Sequence, residues 1–170
     1  MVQVRQITAP RQTELAQLAD ILIDCVAGGA SVGFMHPLSQ DRALTFWRNV
    51  ADDGATGSRI LLVAEDATGI IGTVQIVLEQ PENQPHRGDI SKMLVHRRGR
   101  KAGVGAVLMQ AAEAAARHAG KTLLVLDTAN GDAARLYERA GWTLSGIIPD
   151  YALLPYGGLC ETAIYYRRLV

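Results

Sequence analysis

The chain predicts a mixed α+β fold, with a central, mostly antiparallel sheet flanked by helices. Three observations carry that expectation. Two strand-like runs, residues 60–65 and 70–79, are joined by Asp66-Ala67-Thr68-Gly69, the signature of a hairpin. A strand-like segment at 89–95, a helical segment at 106–118 and an apolar segment at 122–127 then follow one another. Such a crossover makes the fourth and fifth strands parallel. Finally, the 170 residues hold no repeat, low-complexity tract or linker, so residues 1–170 read as one domain.

Residues 2–7 alternate apolar and polar, as a first strand does. Residues 14–27 set Leu15, Leu18, Ile21, Leu22 and Cys25 on one helical stripe, and Gly28-Gly29 stops that helix. Ser39 is placed to cap a second helix running to about Asp53, with Leu44, Trp47 and Val50 facing inward. The hairpin strands come next, then a polar loop at 81–86 and a fourth strand at 89–95. The helix at 106–118 is rich in alanine, small enough to lie close on a sheet. Gly120 ends it, with Arg117 and His118 at its negative pole. Residues 122–127 are almost wholly apolar, the pattern of a buried central strand. Residues 132–139 form a short helix stopped before Gly141. Residues 144–148 and 162–169 are the last strands, with 151–161 read as a loop.

Composition narrows the function classes. Apolar residues make up 48% of the chain and charged residues 20%, as in an ordinary globular protein. Formal net charge is zero, and the arginine cluster at 97–100 has no aromatic interleaving, so no nucleic-acid partner is expected. No apolar run is long enough to span a bilayer, and residues 1–11 lack a signal-peptide core. No membrane partner is expected, and a cytoplasmic location is. The two cysteines, Cys25 and Cys160, do not make a disulfide framework, and no activating base is evident beside either. His36, His86, His96 and His118 lack metal-ligand spacing, so no metal is expected.

The most informative stretch is Val95-His96-Arg97-Arg98-Gly99-Arg100-Lys101-Ala102-Gly103-Val104-Gly105. A basic, glycine-spaced turn feeding a helix start suits a diphosphate. Unpaired N–H groups and the helix dipole face the anion, and glycine admits its oxygens close to the backbone. The dinucleotide fingerprint fails, because Leu108 stands where its third glycine belongs, and the G-x-x-x-x-G-K-[ST] loop is absent. A nicotinamide-dependent oxidoreductase is therefore disfavoured.

Two blocks resemble the GNAT (GCN5-related) N-acetyltransferase family. Its diphosphate signature, Arg or Gln, two residues, Gly, one residue, then Gly or Ala, is matched by Arg100-Lys101-Ala102-Gly103-Val104-Gly105. Its Asn-x-x-Ala-x-x-x-Tyr block is matched from Asn130 through Ala133 to Tyr137, followed by Gly141-Trp142. The element order extends the resemblance over nearly the whole chain. Residues 28–35, Leu126-Asp127-Thr128, Pro149-Asp150-Tyr151 and Thr162-Ala163-Ile164-Tyr165 are also similar to segments of the tabtoxin-resistance acetyltransferases. Those enzymes acetylate the amino group of a β-lactam amino acid.

The resemblance implies direct transfer of an acetyl group from acetyl-CoA, as cosubstrate, to a primary amine in a ternary complex. It implies a cleft where the fourth and fifth strands splay apart. The pantetheine arm runs along the backbone of Met93, Leu94 and Val95, with an N–H near Leu94 holding the thioester carbonyl. The diphosphate sits on residues 100–105, and Arg97, Arg98 or Lys101 meets the 3′-phosphate. Asn130 contacts the pantetheine arm or the backbone near it, a role compatible with capping a helix. Tyr137 becomes the candidate general acid facing the CoA sulfur; read from helical spacing alone it is a core tyrosine. Asp89 and Asp127 flank the splay as candidate bases, with an exposed strand-end charge and a capping carboxylate as the plainer readings.

Residues 28–35 on one side and Tyr151, Tyr156 and Glu161 on the other are candidate walls of the acceptor pocket, although a glycine-rich connector needs no such role. The expected partner is a small-molecule amine, a toxin- or antibiotic-like amino acid among them. A protein or peptide acceptor and a non-catalytic acyl-CoA sensor are the alternatives. Monomer and homodimer both stay open, the latter through the late strands or the apolar edge Leu153-Leu154-Pro155.

Overall fold

Helices and strands interleave in the order β1 (Gln3–Ile7), α1 (Gln12–Ala27), α2 (Gln40–Thr56), β2 (Arg59–Asp66), β3 (Gly69–Val77), β4 (Arg87–Val95), a 3-10 turn (Arg97–Gly99), α3 (Val104–His118), β5 (Leu123–Thr128), α4 (Gly131–Arg139), β6 (Thr143–Leu153) and β7 (Leu159–Arg168). The computed structural model describes residues 1–129 and 131–169, with the backbone alone for Asp132. The seven strands form one sheet in the order β1-β2-β3-β4-β5-β7-β6. Every pairing is antiparallel except β4 with β5, the pair that the crossover argument made parallel.

Two layers of helix cover the sheet. On one face Leu18, Leu22 and Trp47 of α1 and α2 bury against Leu61, Val63 and Leu94. On the other, Leu108, Met109, Ala112 and Ala116 of α3 pack on Leu62, Val74, Ile76 and Leu124. The alanines permit this close approach. A Cβ on Gly72 would lie 3.0 Å from Val104 Cγ1 of α3, so the contact tolerates no side chain there. Ser39 caps α2 as the sequence implied, its Oγ accepting from Arg42 N at 3.3 Å. Gly57, at φ 80°, ends it in the left-handed region.

The last hairpin departs from the sequence reading. Residues 151–161 do not form a simple loop, because β6 continues to Leu153 and β7 begins at Leu159, paired with each other. Pro149 and two register irregularities interrupt the pattern, and β6 is an edge strand exposed along nearly its whole length. With neither side buried, the strand carries no period-two hydrophobic signal.

Two irregularities in β4 matter for the site. Its parallel pairing with β5 spans only Arg87↔Leu123, Gly88↔Leu124 and Asp89↔Val125. On its other side the register with β3 shifts from Gln75↔Ser91 to Thr73↔Leu94, so Lys92 and Met93 together oppose Val74. This is a bulge, and Lys92 takes φ 49° within it.

The N-terminal strand and helix are tied by Glu14. Its Oε1 accepts from Arg5 at 2.6 Å and from Arg11 at 3.0 Å, and its Oε2 accepts from the Arg11 N–H at 2.7 Å. Arg11's guanidinium, opposed by burial and helped by the Arg11 N–H and by Arg5, holds the carboxyl down to about 2. A lowered folded pKa stabilises above the unfolded value and is lost as pH falls through the folded one. Glu14→Gln is therefore expected to cost about 1–2 kcal/mol at pH 7. The gap to the unaltered protein should close between pH 4.5 and 2. Urea titrations at pH 7 and pH 3 check this, and an equal gap at both refutes it.

Candidate active site

Where β4 and β5 stop pairing, their facing edges part. Ile90 points to the α3 side with Leu124 and Leu126, so Asp89 and Asp127 both turn to the α1–α2 side. Asp89 sits on the last paired rung, and Asp127 lies two residues further along β5, beside the opening. Asp89 is engaged: its Oδ1 lies 3.2 Å from Arg87 and its Oδ2 accepts from Gln80 Nε2 at 3.3 Å. Asp127 is exposed and accepts from Thr162 Oγ1 at 3.0 Å. Tyr137 of α4 is 4% exposed, its ring centroid 6.1 Å from that of Trp142 and 6.0 Å from that of Tyr165. Burial, with the negative charge of Asp127 as a second cause, pushes its phenol up to about 12. Asn130 lies outside the described residues.

The basic turn approaches the same opening from the end of β4. Leu94 is buried under α1, while Met93 and Val95 pack toward α3. The 3-10 turn and Lys101, at φ 62°, lead to Gly103 at φ 78°, which starts α3 with no side-chain cap. That left-handed conformation favours glycine, and the space around Gly103 is open for 4 Å. The first N–H groups of α3 thus face outward without a capping side chain. Gly105 serves packing instead. A Cβ there would lie 3.0 Å from Leu136 Cδ2, so its absence lets α3 and α4 approach closely. Val104 is likewise a core residue, and Ala102 is exposed.

The arginines of the turn are not equivalent. Arg98 braces the β2–β3 hairpin, donating to Thr68 Oγ1 at 2.7 Å and to the Ile70 carbonyl at 2.6 Å. Arg97 and Arg100 converge instead on Asp24, in the last turns of α1. The Asp24 carboxylate accepts from the Arg97 N–H at 2.9 Å and from Arg97 Nε, and lies 3.5 Å from Arg100 and 3.9 Å from His96. Burial raises the Asp24 pKa, but the Arg97 N–H and guanidinium and His96 outweigh it and leave the carboxyl below its usual range. Arg100 also donates to the Val95 carbonyl at 3.2 Å. Lys101 has no hydrogen bond or ion pair with any described residue, so of the three basic candidates it is the most available to a ligand. The sequence reading missed Asp24. Its signal was an acid three residues after Ile21, on a helix with little polar face.

The two segments proposed as pocket walls meet. The Tyr156 hydroxyl donates to the Ala27 carbonyl at 2.8 Å, its ring stacks on His36 at 4.4 Å, and the His36 N–H reaches the Pro155 carbonyl at 2.9 Å. Cys160 Sγ lies 3.8 Å from Ser31 Oγ. The tip of the last hairpin thus closes over residues 28–36. Tyr151 and Glu161 remain exposed. Among the described residues no three His, Cys, Asp or Glu side chains gather as a metal site, and no helix is long and apolar enough to cross a membrane.

Comparison with known proteins bears on the family and the fold. The sequence profile of the acetyltransferase (GNAT) family matches residues 17–142. Among solved structures, yncA of Salmonella typhimurium, determined with its cofactor acetyl-CoA, superposes with a TM-score of 0.81 at 18% identity, over 99% of this chain and 94% of that one. A proposed phosphinothricin N-acetyltransferase gives 0.82 at 21% identity, over 100% of this chain and 99% of that one. The ribosomal-protein-alanine N-acetyltransferase of Brucella melitensis gives 0.80 at 20%, over 98% and 99%. At these identities the likeness establishes a shared fold.

Asp24→Asn keeps the shape but removes the charge that anchors Arg97 and Arg100. The acetyl-CoA dissociation constant, measured by calorimetry, is expected to rise roughly tenfold, which is about 1.4 kcal/mol of lost preorganisation. Unchanged affinity would show that the turn keeps its shape without this anchor.

Proposed function

The chain belongs to the GNAT acetyltransferase family, and from that premise we propose that it transfers the acetyl group of acetyl-CoA to the primary amine of a small molecule. The observation that carries this reading is the parting of β4 from β5 after three rungs, with Asp127 beside the opening; its negative charge helps burial to raise the Tyr137 phenol. The residues present fit the cosubstrate. The uncapped start of α3, the open space at Gly103 and the free Lys101 suit a diphosphate. The edge of β4 beyond Asp89, which β5 leaves unpaired, suits a strand-like pantetheine arm along Met93, Leu94 and Val95.

When bound, acetyl-CoA supplies a thioester whose carbonyl a β4 N–H can polarise. We assign the proton-accepting role to Asp127 rather than Asp89. Asp89 is held by Arg87 and Gln80, whereas Asp127 is exposed beside the opening with Thr162 as its hydrogen-bond partner. Asp127 would take one proton of the acceptor ammonium, directly or through one water, Tyr137 would donate its phenolic proton to the departing sulfur, and the second proton that the amine nitrogen sheds as its bond to the acetyl carbon replaces the C–S bond would return to the Tyr137 phenolate. A phenol held up at about 12 is protonated at neutral pH, as a general acid must be. Asp89 keeps an orienting role at the last paired rung.

The acceptor reading rests on the closed hairpin tip, which narrows the approach past residues 28–36. A toxin-like amino acid is the finer form of the proposal, supported by the resemblance of residues 28–35 and of the segments around Asp127 and Tyr151 to the tabtoxin-resistance enzymes. A homodimer through the last hairpin is part of the same proposal, since Ile147 and Leu153 of β6 and Leu159 of β7 are each more than half exposed.

The test is acetyl-CoA-dependent thiol release across amino acids, a tabtoxinine-type β-lactam, aminoglycosides, polyamines and short peptides. Release with a small amine is expected. Tyr137→Phe should lower kcat by roughly 100-fold while acetyl-CoA affinity holds. Release with peptides alone would transfer the assignment to a protein acceptor. Binding of acetyl-CoA without release would make the protein a sensor.

A further inference from the structure

The α1–α2 face of the sheet carries hydrogen-bond donors that the transfer described above does not use. Gln75, central in β3, is fully buried on the side of Leu61. Its Oε1 accepts from Arg59 at 2.6 Å, but its Nε2 donates to no described residue. A buried amide donor left unmet costs about 1–3 kcal/mol, so its orientation calls for an acceptor. Ser91 is its ladder partner on β4 and carries a hydroxyl to the same face. Lys92 follows, turned out of the strand by the bulge. Its Nζ stands 5.7 Å from the Phe46 ring centroid of α2, and a Cβ on Gly33 would lie 3.7 Å from it. Lys92 has no hydrogen bond or ion pair with any described residue. Arg59, by contrast, is satisfied by Asp53 at 3.0 Å.

Lys92 stands beside Gly33 of the 28–35 segment, and Gln75 and Ser91 share the α1–α2 face of the sheet. All three can donate, one is a cation, and none meets a side-chain or carbonyl acceptor among the described residues. Asp127, on the same face, attracts an ammonium; Lys92 repels one. A molecule with a lone positive charge gains from the first and loses to the second, whereas one that pairs an amine with a nearby anion satisfies both.

We propose that Lys92, with Gln75 Nε2 and Ser91 Oγ, forms a subsite for a carboxylate or similar oxyanion carried by the acceptor itself. This rests on the acetyl-transfer reading and narrows it. The acceptor is zwitterionic, its amine toward Asp127 and its anion toward Lys92, and simple cationic amines are rejected. Burial lowers the Lys92 pKa, with Asp127 partly offsetting it, which is the condition a bound carboxylate relieves.

The experiment compares leucine, glutamine and phenylalanine, each beside its carboxamide, by thiol release. The carboxylate form is expected to be favoured at least about 30-fold in kcat/KM. Lys92→Met should bring the two forms within about threefold without changing the KM for acetyl-CoA, and Ser91→Ala, a milder change, should narrow the ratio by about threefold. Equal use of both forms by the unaltered protein, or an unchanged ratio in Lys92→Met, overturns the subsite while leaving acetyl transfer intact. If no amine is acetylated, the transfer reading itself falls, and calorimetry decides the subsite alone. N-acetyl-leucine must then bind the CoA-loaded protein more tightly than N-acetyl-leucinamide, and lose that advantage in Lys92→Met. Equal binding, or none, refutes it.

Discussion

The brevity of the β4–β5 pairing is the constraint on which the site depends. Three parallel rungs hold the strands together, and Gly88 makes the close approach possible, because a Cβ there would lie 3.1 Å from Leu124 Cδ2. Beyond Asp89 the bulge at Lys92 and Met93 turns β4 away, while β5 stays in register with β7 through Thr128. Each strand then has an edge of backbone donors and acceptors in need of partners, and neither can supply the other. A sheet that closed here would leave no room for a ligand between its halves. The opening is thus built into the hydrogen-bond pattern and does not depend on a mobile loop.

Asp24 joins the two sides of that opening. It sits on α1, and it holds the backbone and guanidinium of Arg97 on the turn that starts α3. Four residues later α1 ends at Gly28, where a Cβ would meet Arg100 at 3.5 Å, and residues 28–36 run on to meet Tyr156. One helix end therefore fixes both the basic turn and the segment proposed as a wall of the acceptor pocket. Cys25, buried with its Sγ 3.7 Å from the Val95 carbonyl, fills the same junction; burial, tempered by Arg100, raises its pKa and makes it a packing residue.

How much of this the sequence disclosed follows the range of the interactions. The β2–β3 hairpin, the cap at Ser39 and the parallel crossover are local patterns, and they stand in the structure as read. The reach of β6 and β7 was hidden, since an edge strand exposed on both faces has no alternation to detect. Asp24 and its arginines lie more than seventy residues apart, and no local rule pairs them. Lys92 did leave a trace, as a cation between Ser91 and the apolar run Met93-Leu94-Val95, but only the bulge shows where it points. Tyr137 is instructive in another way. The core tyrosine of the spacing argument and the general acid of the family motif are compatible in one side chain, because the burial that packs it is also what raises its pKa.

That burial orders the proposed chemistry. A phenol near 12 is a poor acid by itself, and part of the reason is the negative charge of Asp127. When Asp127 accepts the acceptor's proton it becomes neutral, and its contribution to holding the phenol proton disappears. Tyr137 is then a stronger acid at the moment the sulfur departs than it was beforehand. Burial remains and sets the floor, so the phenol does not ionise before it is needed. The two groups need no hydrogen bond between them for this to work, because the negative charge of Asp127 already acts on the buried phenol. The Thr162 hydroxyl, itself only 2% exposed, orients the Asp127 carboxylate toward this exchange without adding charge. Proton acceptance thus makes the later donation easier, which gives the base and the acid a fixed sequence without any movement of the backbone.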